Sequence, residues 1–121
     1  MRVPMLSIGP AVKLTIYLND DTGAENAFLH QDLLALLQAH GIQGASVFKP
    51  YAGFGSHGRL HVSGGGPVSG EHMPIVICVV DTEEKIAAIT PLLVAAVTDG
   101  FIEAHPTQIL KAVQGSAGVI A

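Results

Sequence analysis

An α+β fold, with two helices on one face of an antiparallel sheet, follows from three features of this sequence. Its apolar pattern changes period in the order strand, helix, strand, loop, strand, helix, strand. Pro74–Val80 is apolar without alternation, as expected of a central strand covered on both faces. The stretch Lys49–His72 (KPYAGFGSHGRLHVSGGGPVSGEH) holds seven glycines. Glycine loses the most backbone entropy on ordering, so this stretch is neither a helix nor a packed strand throughout.

The elements follow in order. Val12, Leu14, Ile16 and Leu18 alternate with Lys13, Thr15 and Tyr17, the pattern of a half-buried strand. Asp20-Asp21-Thr22-Gly23 turns the chain, and Thr22 and Glu25 have capping-box spacing for a helix start. Leu29, Leu33, Leu36 and Leu37 form one apolar helical stripe, and Gly41 is placed to end that helix in a left-handed cap. Ala45–Lys49 reads as a second strand, with Val47 and Phe48 on opposite faces. After the glycine loop and the central strand, Asp81 is expected to cap a second helix, with Glu84 at the reciprocal position. Ile86, Ile89, Leu93 and Val97 form its stripe. Pro91 lies inside it and is expected to kink or divide it. Asp99-Gly100 then turns into a short strand, Phe101–Ala104, and Thr107–Leu110 reads as a separate edge strand limited by Pro106. This order is the split βαβ plan of ferredoxin-like folds.

Composition narrows the function. A chain of 121 residues suits one domain. The reading is an N-terminal tail over 1–10, a domain over 11–111 with a mobile loop at 53–72, and a C-terminal tail over 112–121. Hydrophobic residues make up 49% and charged residues only 13%, about half the usual charged share, which suggests that other subunits cover part of the surface. The net charge of -4 argues against a nucleic-acid partner. No apolar run reaches the ~20 residues of a membrane helix, so direct membrane insertion is not expected. The single Cys78 excludes an intramolecular disulfide and suits a reducing cytoplasm.

Catalytic motifs such as GxSxG, HExxH or a Walker-type run do not occur, and no catalytic residue is assigned. Asp20-Asp21 and Glu83-Glu84 are explained by turn and helix-dipole roles. His57 and His61, with Glu71 and His72, fall short of an assigned metal site, because zinc wants about four ligands with a shaped surround. Glycine-rich turns present backbone N–H groups to anions, and Lys49 and Arg59 flank this one.

VKLTIYLNDD at Val12–Asp21, HGIQGASV at His40–Val47, AGFGSHGRLH at Ala52–His61 and PIVICVVDTEEKI at Pro74–Ile86 resemble the PII-like family of the domain of unknown function 190 type. The resemblance covers about Gly9 to Leu110 and is similar in fold to PII signalling proteins, which are trimers of ferredoxin-like subunits. It implies a regulatory homotrimer that binds a small effector, typically an adenine nucleotide, in clefts between subunits. The loop after the second strand would act on a target protein such as a membrane transporter. The candidate ligand-binding residues are Lys49, Tyr51, Gly53, Phe54, Gly55, Ser56, His57 and Arg59. Gly53-Phe54-Gly55 matches the Gly-Phe-Gly that opens the PII interaction loop. Ser56-His57 stand where PII proteins have Arg-Gln, and Asp99-Gly100 stand where they have a Lys-bearing phosphate turn. A metal- or anion-binding trimer without signalling, and a small enzyme, remain the alternatives.

Overall fold

The computed structural model describes residues 7–19, 29–54, 61–62 and 74–113. Its elements are β1 (Gly9–Asn19), α1 (Leu29–Ala39), β2 (Ala45–Phe48), β3 (Ala52–Gly53), β4 (His61–Val62), β5 (Pro74–Thr82), α2 (Glu83–Ala96) and β6 (Gly100–Ile109). Four strands form one sheet in the order β2-β5-β1-β6, and each neighbouring pair is antiparallel. Two βαβ units therefore interlock, with β5 between β1 and β2, and β1 between β5 and β6. β3 and β4 form a separate two-stranded ladder.

Both helices lie on one face of the sheet. Alternation along β1 and β5 turns Leu14, Ile16, Leu18, Ile75, Ile77 and Val79 toward them, and all six are buried. Leu29, Leu33 and Leu37 of α1 and Ile86, Ile89 and Leu93 of α2 close this core. These are the stripes read from the sequence, with Leu36 and Val97 partly buried beside them.

The end of α1 shows how a short sequence fixes geometry. Gly41 has φ 82°, the left-handed conformation that a Cβ disfavours. The Gly41 N–H donates to Gln38 O and the Ile42 N–H to Leu37 O at 3.1 Å, which satisfies carbonyls the helix leaves open. Ile42 and Leu37 both sit in the core, completing the Schellman arrangement. The capping box proposed at Thr22 and Glu25 lies outside the described residues.

Three expectations are corrected. The N-cap of α2 is Thr82, whose Oγ1 accepts from the Lys85 N–H at 3.4 Å; Asp81 is instead a fully buried residue of β5. α2 runs through Pro91 as one element, so the division expected as one of two outcomes there does not occur. A proline removes one backbone donor, and the buried stripe on both sides of it holds the helix to the sheet. The two short strands expected after Gly100 are one ten-residue strand. Pro106 fits within it because β6 is an edge strand, the place where a sheet tolerates a missing donor.

Among the described residues, no helix is long and apolar enough to cross a membrane.

Candidate functional site

β2 is the edge strand that delivers the chain to the glycine loop. Among the described residues it pairs with β5 alone, from Ala45↔Val79 to Phe48↔Val76. Lys49 follows it, exposed, and then Pro50 and Tyr51 lead into β3. The loop closes on itself where Ala52 faces Val62 and Gly53 faces His61.

The described part of the site is marked by two exposed aromatic rings. Tyr51 and Phe54 are 76% and 74% exposed, at either end of β3. Exposing two such rings forfeits burial worth roughly 1.5–3 kcal/mol for Phe alone. Rings held in this way suit stacking on a flat ligand or docking on a neighbouring surface. A Cβ at Gly53 would meet nothing within 4 Å, and Gly53 has no left-handed φ. Its lack of a side chain is therefore not demanded by this backbone. Gly55, Ser56, His57 and Arg59 lie outside the described residues, so of the expected set the structure places Lys49, Tyr51, Gly53 and Phe54 on one stretch.

The turn before β6 is built differently. Gly100 has φ 154°, and a Cβ there would collide with the Tyr17 carbonyl oxygen. Steric demand selects this glycine, and Asp99 precedes it where a phosphate-binding turn would want a cation.

Two groups of residues escaped the sequence reading. The first is a buried charged staple. Asp81 Oδ1 accepts the Thr82 N–H at 2.7 Å and lies 3.1 Å from Lys85 Nζ. Asp81 Oδ2 accepts the Gln43 N–H at 3.0 Å. Lys85 Nζ also donates to Gly41 O at 2.9 Å. The staple thus ties the turn before β2, and so the strand feeding the loop, to the start of α2. Taking Asp81 for a helix cap hid it.

The second is the side of the sheet away from the helices. Phe48, Val76, Tyr17 and Phe101 line up across all four strands. Tyr17 and Phe101 stack with centroids 4.4 Å apart, while Phe48 and Phe101 remain 55% and 56% exposed. Desolvation foremost, then the charges of Glu103 and Cys78 and a hydrogen bond to Glu103, hold the Tyr17 phenol above its ordinary pKa. Reading β6 as two pieces concealed the continuity of Phe101, Glu103, His105 and Thr107 along this face.

An open groove of about 260 Å³, lined by Leu34, Leu37, Gln38, Ile42, Gln43, Gly44 and Ala45, lies at the other end of β2 from Tyr51 and Phe54. None of its lining residues is ionisable, so it offers shape without charge. Among the described residues, no group of three His, Cys, Asp or Glu side chains is placed to hold a metal ion.

A four-stranded antiparallel sheet with both helices on one face and a looped excursion after β2 defines a PII-like fold. Solved structures bear this out. CPII, a nitrogen regulatory PII-like protein from Thiomonas intermedia K12 bound to ADP, AMP and bicarbonate, matches with a TM-score of 0.56 at 21% identity. That match covers 88% of this chain and 100% of the other. The apo form of CPII matches with a TM-score of 0.51 at 18% identity, covering 85% and 95%. Residues 11–109 match the family DUF190, described as uncharacterized ACR, and the chain belongs to it. The UPF0166 protein MJ1524 of Methanocaldococcus jannaschii is 31% identical over 87 residues, 66% of this chain and 72% of that protein.

Proposed function

We propose that this chain is the subunit of a homotrimeric PII-like regulator in the cytoplasm. It binds a small anionic effector, an adenine nucleotide foremost, in clefts between subunits beside Tyr51–Phe54. The occupied loop then docks on, or leaves, a target protein such as a membrane transporter. The observation that carries this reading is the pair of exposed rings, Tyr51 and Phe54, on the loop that leaves β2. It is supported by a fold whose solved relative holds ADP, AMP and bicarbonate.

Each part of the site has a physical task. A purine stacked on one of these rings gains about 1–3 kcal/mol, the usual worth of a base on an aromatic face. In this reading the glycine-rich sequence from Gly53 to Arg59 offers backbone N–H groups to a phosphate or bicarbonate, and the Arg59 guanidinium offers a forked donor. A neighbouring subunit supplies cover that the described residues do not give. The row Phe48, Val76, Tyr17 and Phe101, on the sheet face away from the helices, is apolar enough to be the contact between copies. The output is conformational: an effector shifts the loop only by its preference for one loop state over another. The reading assigns no bond-making step to any residue.

A thermal-shift measurement on the assembled protein tests this with ADP, AMP and sodium bicarbonate, singly and together. An effector at a hundred times its dissociation constant adds about 2.7 kcal/mol to native stability. A clear upward shift with ADP or AMP is expected. No shift with either nucleotide at millimolar concentration, with or without bicarbonate, overturns the nucleotide reading.

A further inference from the structure

The strand registers set the sheet face away from the helices into rows, on which Phe48 and Phe101 are exposed and Thr15 is buried. Beside the apolar row of Phe48, Val76, Tyr17 and Phe101 runs a row of Ser46, Cys78, Thr15 and Glu103. The next contains Val80, Lys13 and His105. Charge on this face is thus confined to the β1 and β6 half, as Lys13, Glu103 and His105. His105 Nε2 lies 3.2 Å from Glu103 Oε1, and the Glu103 charge also acts on the Tyr17 phenol. Lys13 stands directly opposite His105 in the ladder. From β5 the face adds the Cys78 thiol, and from β2 only Ser46 and Phe48, neither ionisable.

We propose that this polar corner makes association of copies through the open sheet face pH-dependent, with His105 as the titrating group. The inference rests on the reading that this face is the contact between copies. Histidine is the side chain whose ordinary charge change falls between about pH 5 and 8. With a neutral imidazole, Lys13 and Glu103 cancel and the corner carries no net charge. A proton on His105 leaves it at plus one. The Glu103 carboxylate 3.2 Å away favours that proton in the free chain too, so its attraction acts on both sides of the association equilibrium.

Rotational symmetry presents the same corner of every copy at the same distance from the axis. Net positive charge then meets net positive charge as water is expelled, and their repulsion grows with the falling dielectric. Covering an imidazolium also strips its hydration. Both effects oppose the protonated form. Association therefore favours neutral His105, and acid loosens the assembly.

Fluorescence-detected sedimentation from micromolar to nanomolar protein, between about pH 8 and pH 5.5, tests this on three chains: wild type, His105→Gln and His105→Lys. Circular dichroism confirms that each is folded at each pH. The wild-type dissociation constant should rise at least about tenfold on acidification, a change of about 1.4 kcal/mol. His105→Gln should lose that dependence, and His105→Lys should associate weakly throughout. An equal slope in wild type and His105→Gln overturns the pH proposal and leaves the assembly reading standing. So does a wild-type assembly that never dissociates across the range, or a His105→Lys chain as tight as wild type at pH 8. A wild-type chain that is monomeric at pH 8 defeats the assembly reading itself, and the proposal with it.

Discussion

Replacing Asp81 by Asn is the sharpest test of how the fold holds the strand that feeds the loop. The side chain is 0% exposed and accepts from two backbone N–H groups besides pairing with Lys85. Asparagine keeps the shape but turns one acceptor into a donor, so its amide must face either the Gln43 N–H or the Thr82 N–H donor to donor. Lys85, only 14% exposed, keeps its bond to Gly41 O but loses the carboxylate. Breaking a buried pair on one side costs about 3–5 kcal/mol. That is at least about a fifth of the 5–15 kcal/mol that holds an ordinary domain folded. It lowers the melting temperature by on the order of 10 °C or more. Lys85→Met should cost a comparable amount, and the double variant should cost clearly less than the sum, because the two changes remove one shared interaction. Urea unfolding followed by circular dichroism, at one fixed protomer concentration, measures all four chains. An Asp81→Asn chain within about 1 kcal/mol of wild type, or a double variant whose cost equals the sum, refutes the staple.

The remaining predictions are smaller in scope. In a Tyr51→Phe background the one remaining tyrosine, Tyr17, should ionise above its ordinary 10.0 by absorbance titration. Glu103→Gln should bring that midpoint down. Since the phenol is raised in the fold, its contribution to stability is present below pH 10.0 and is lost as pH climbs through the folded midpoint. Gly100→Ala should destabilise strongly, because a Cβ there strikes the Tyr17 backbone, while Gly53→Ala should change stability by no more than about half a kcal/mol. Comparing their urea midpoints checks the contrast. Arg59→Ala should weaken nucleotide affinity at least several-fold by calorimetry while the melting temperature of the free assembly barely moves. An unchanged affinity removes Arg59 from the site.

Much of the fold was legible because the core writes itself in periods. Leu29, Leu33 and Leu37 on one helix, Ile86, Ile89 and Leu93 on the other, and alternate residues of β1 announce the buried faces directly. Gly41 announced its own cap because only a left-handed position there ends the helix economically. Position along the chain proved less legible than periodicity. Pro106 suggested a break, yet an edge strand accommodates it, and strand pairing with β1 overrode the local cue. Asp81 looked like a cap because an acid before Glu83-Glu84 is where caps stand; only tertiary structure brings the Gln43 amide to its carboxylate across the core edge. The candidate site was legible in part. Tyr51 and Phe54 stand out as aromatics in a glycine-rich stretch. The row formed by Phe48, Tyr17 and Phe101 depends on registers between strands far apart in sequence, which no single segment encodes.

The central claim is that copies of this chain must come together to complete an effector site. Calorimetric titration of ADP, in the presence of bicarbonate, into wild type and into Phe101→Glu tests it most directly. Phe101 is 56% exposed on the face away from the helices, so the glutamate should prevent association while leaving the helix-side core intact. The account predicts saturable binding at one ADP per protomer by the assembled wild type and none by the folded monomeric variant. Absence of binding by the wild type, or equal binding by the monomer, contradicts it.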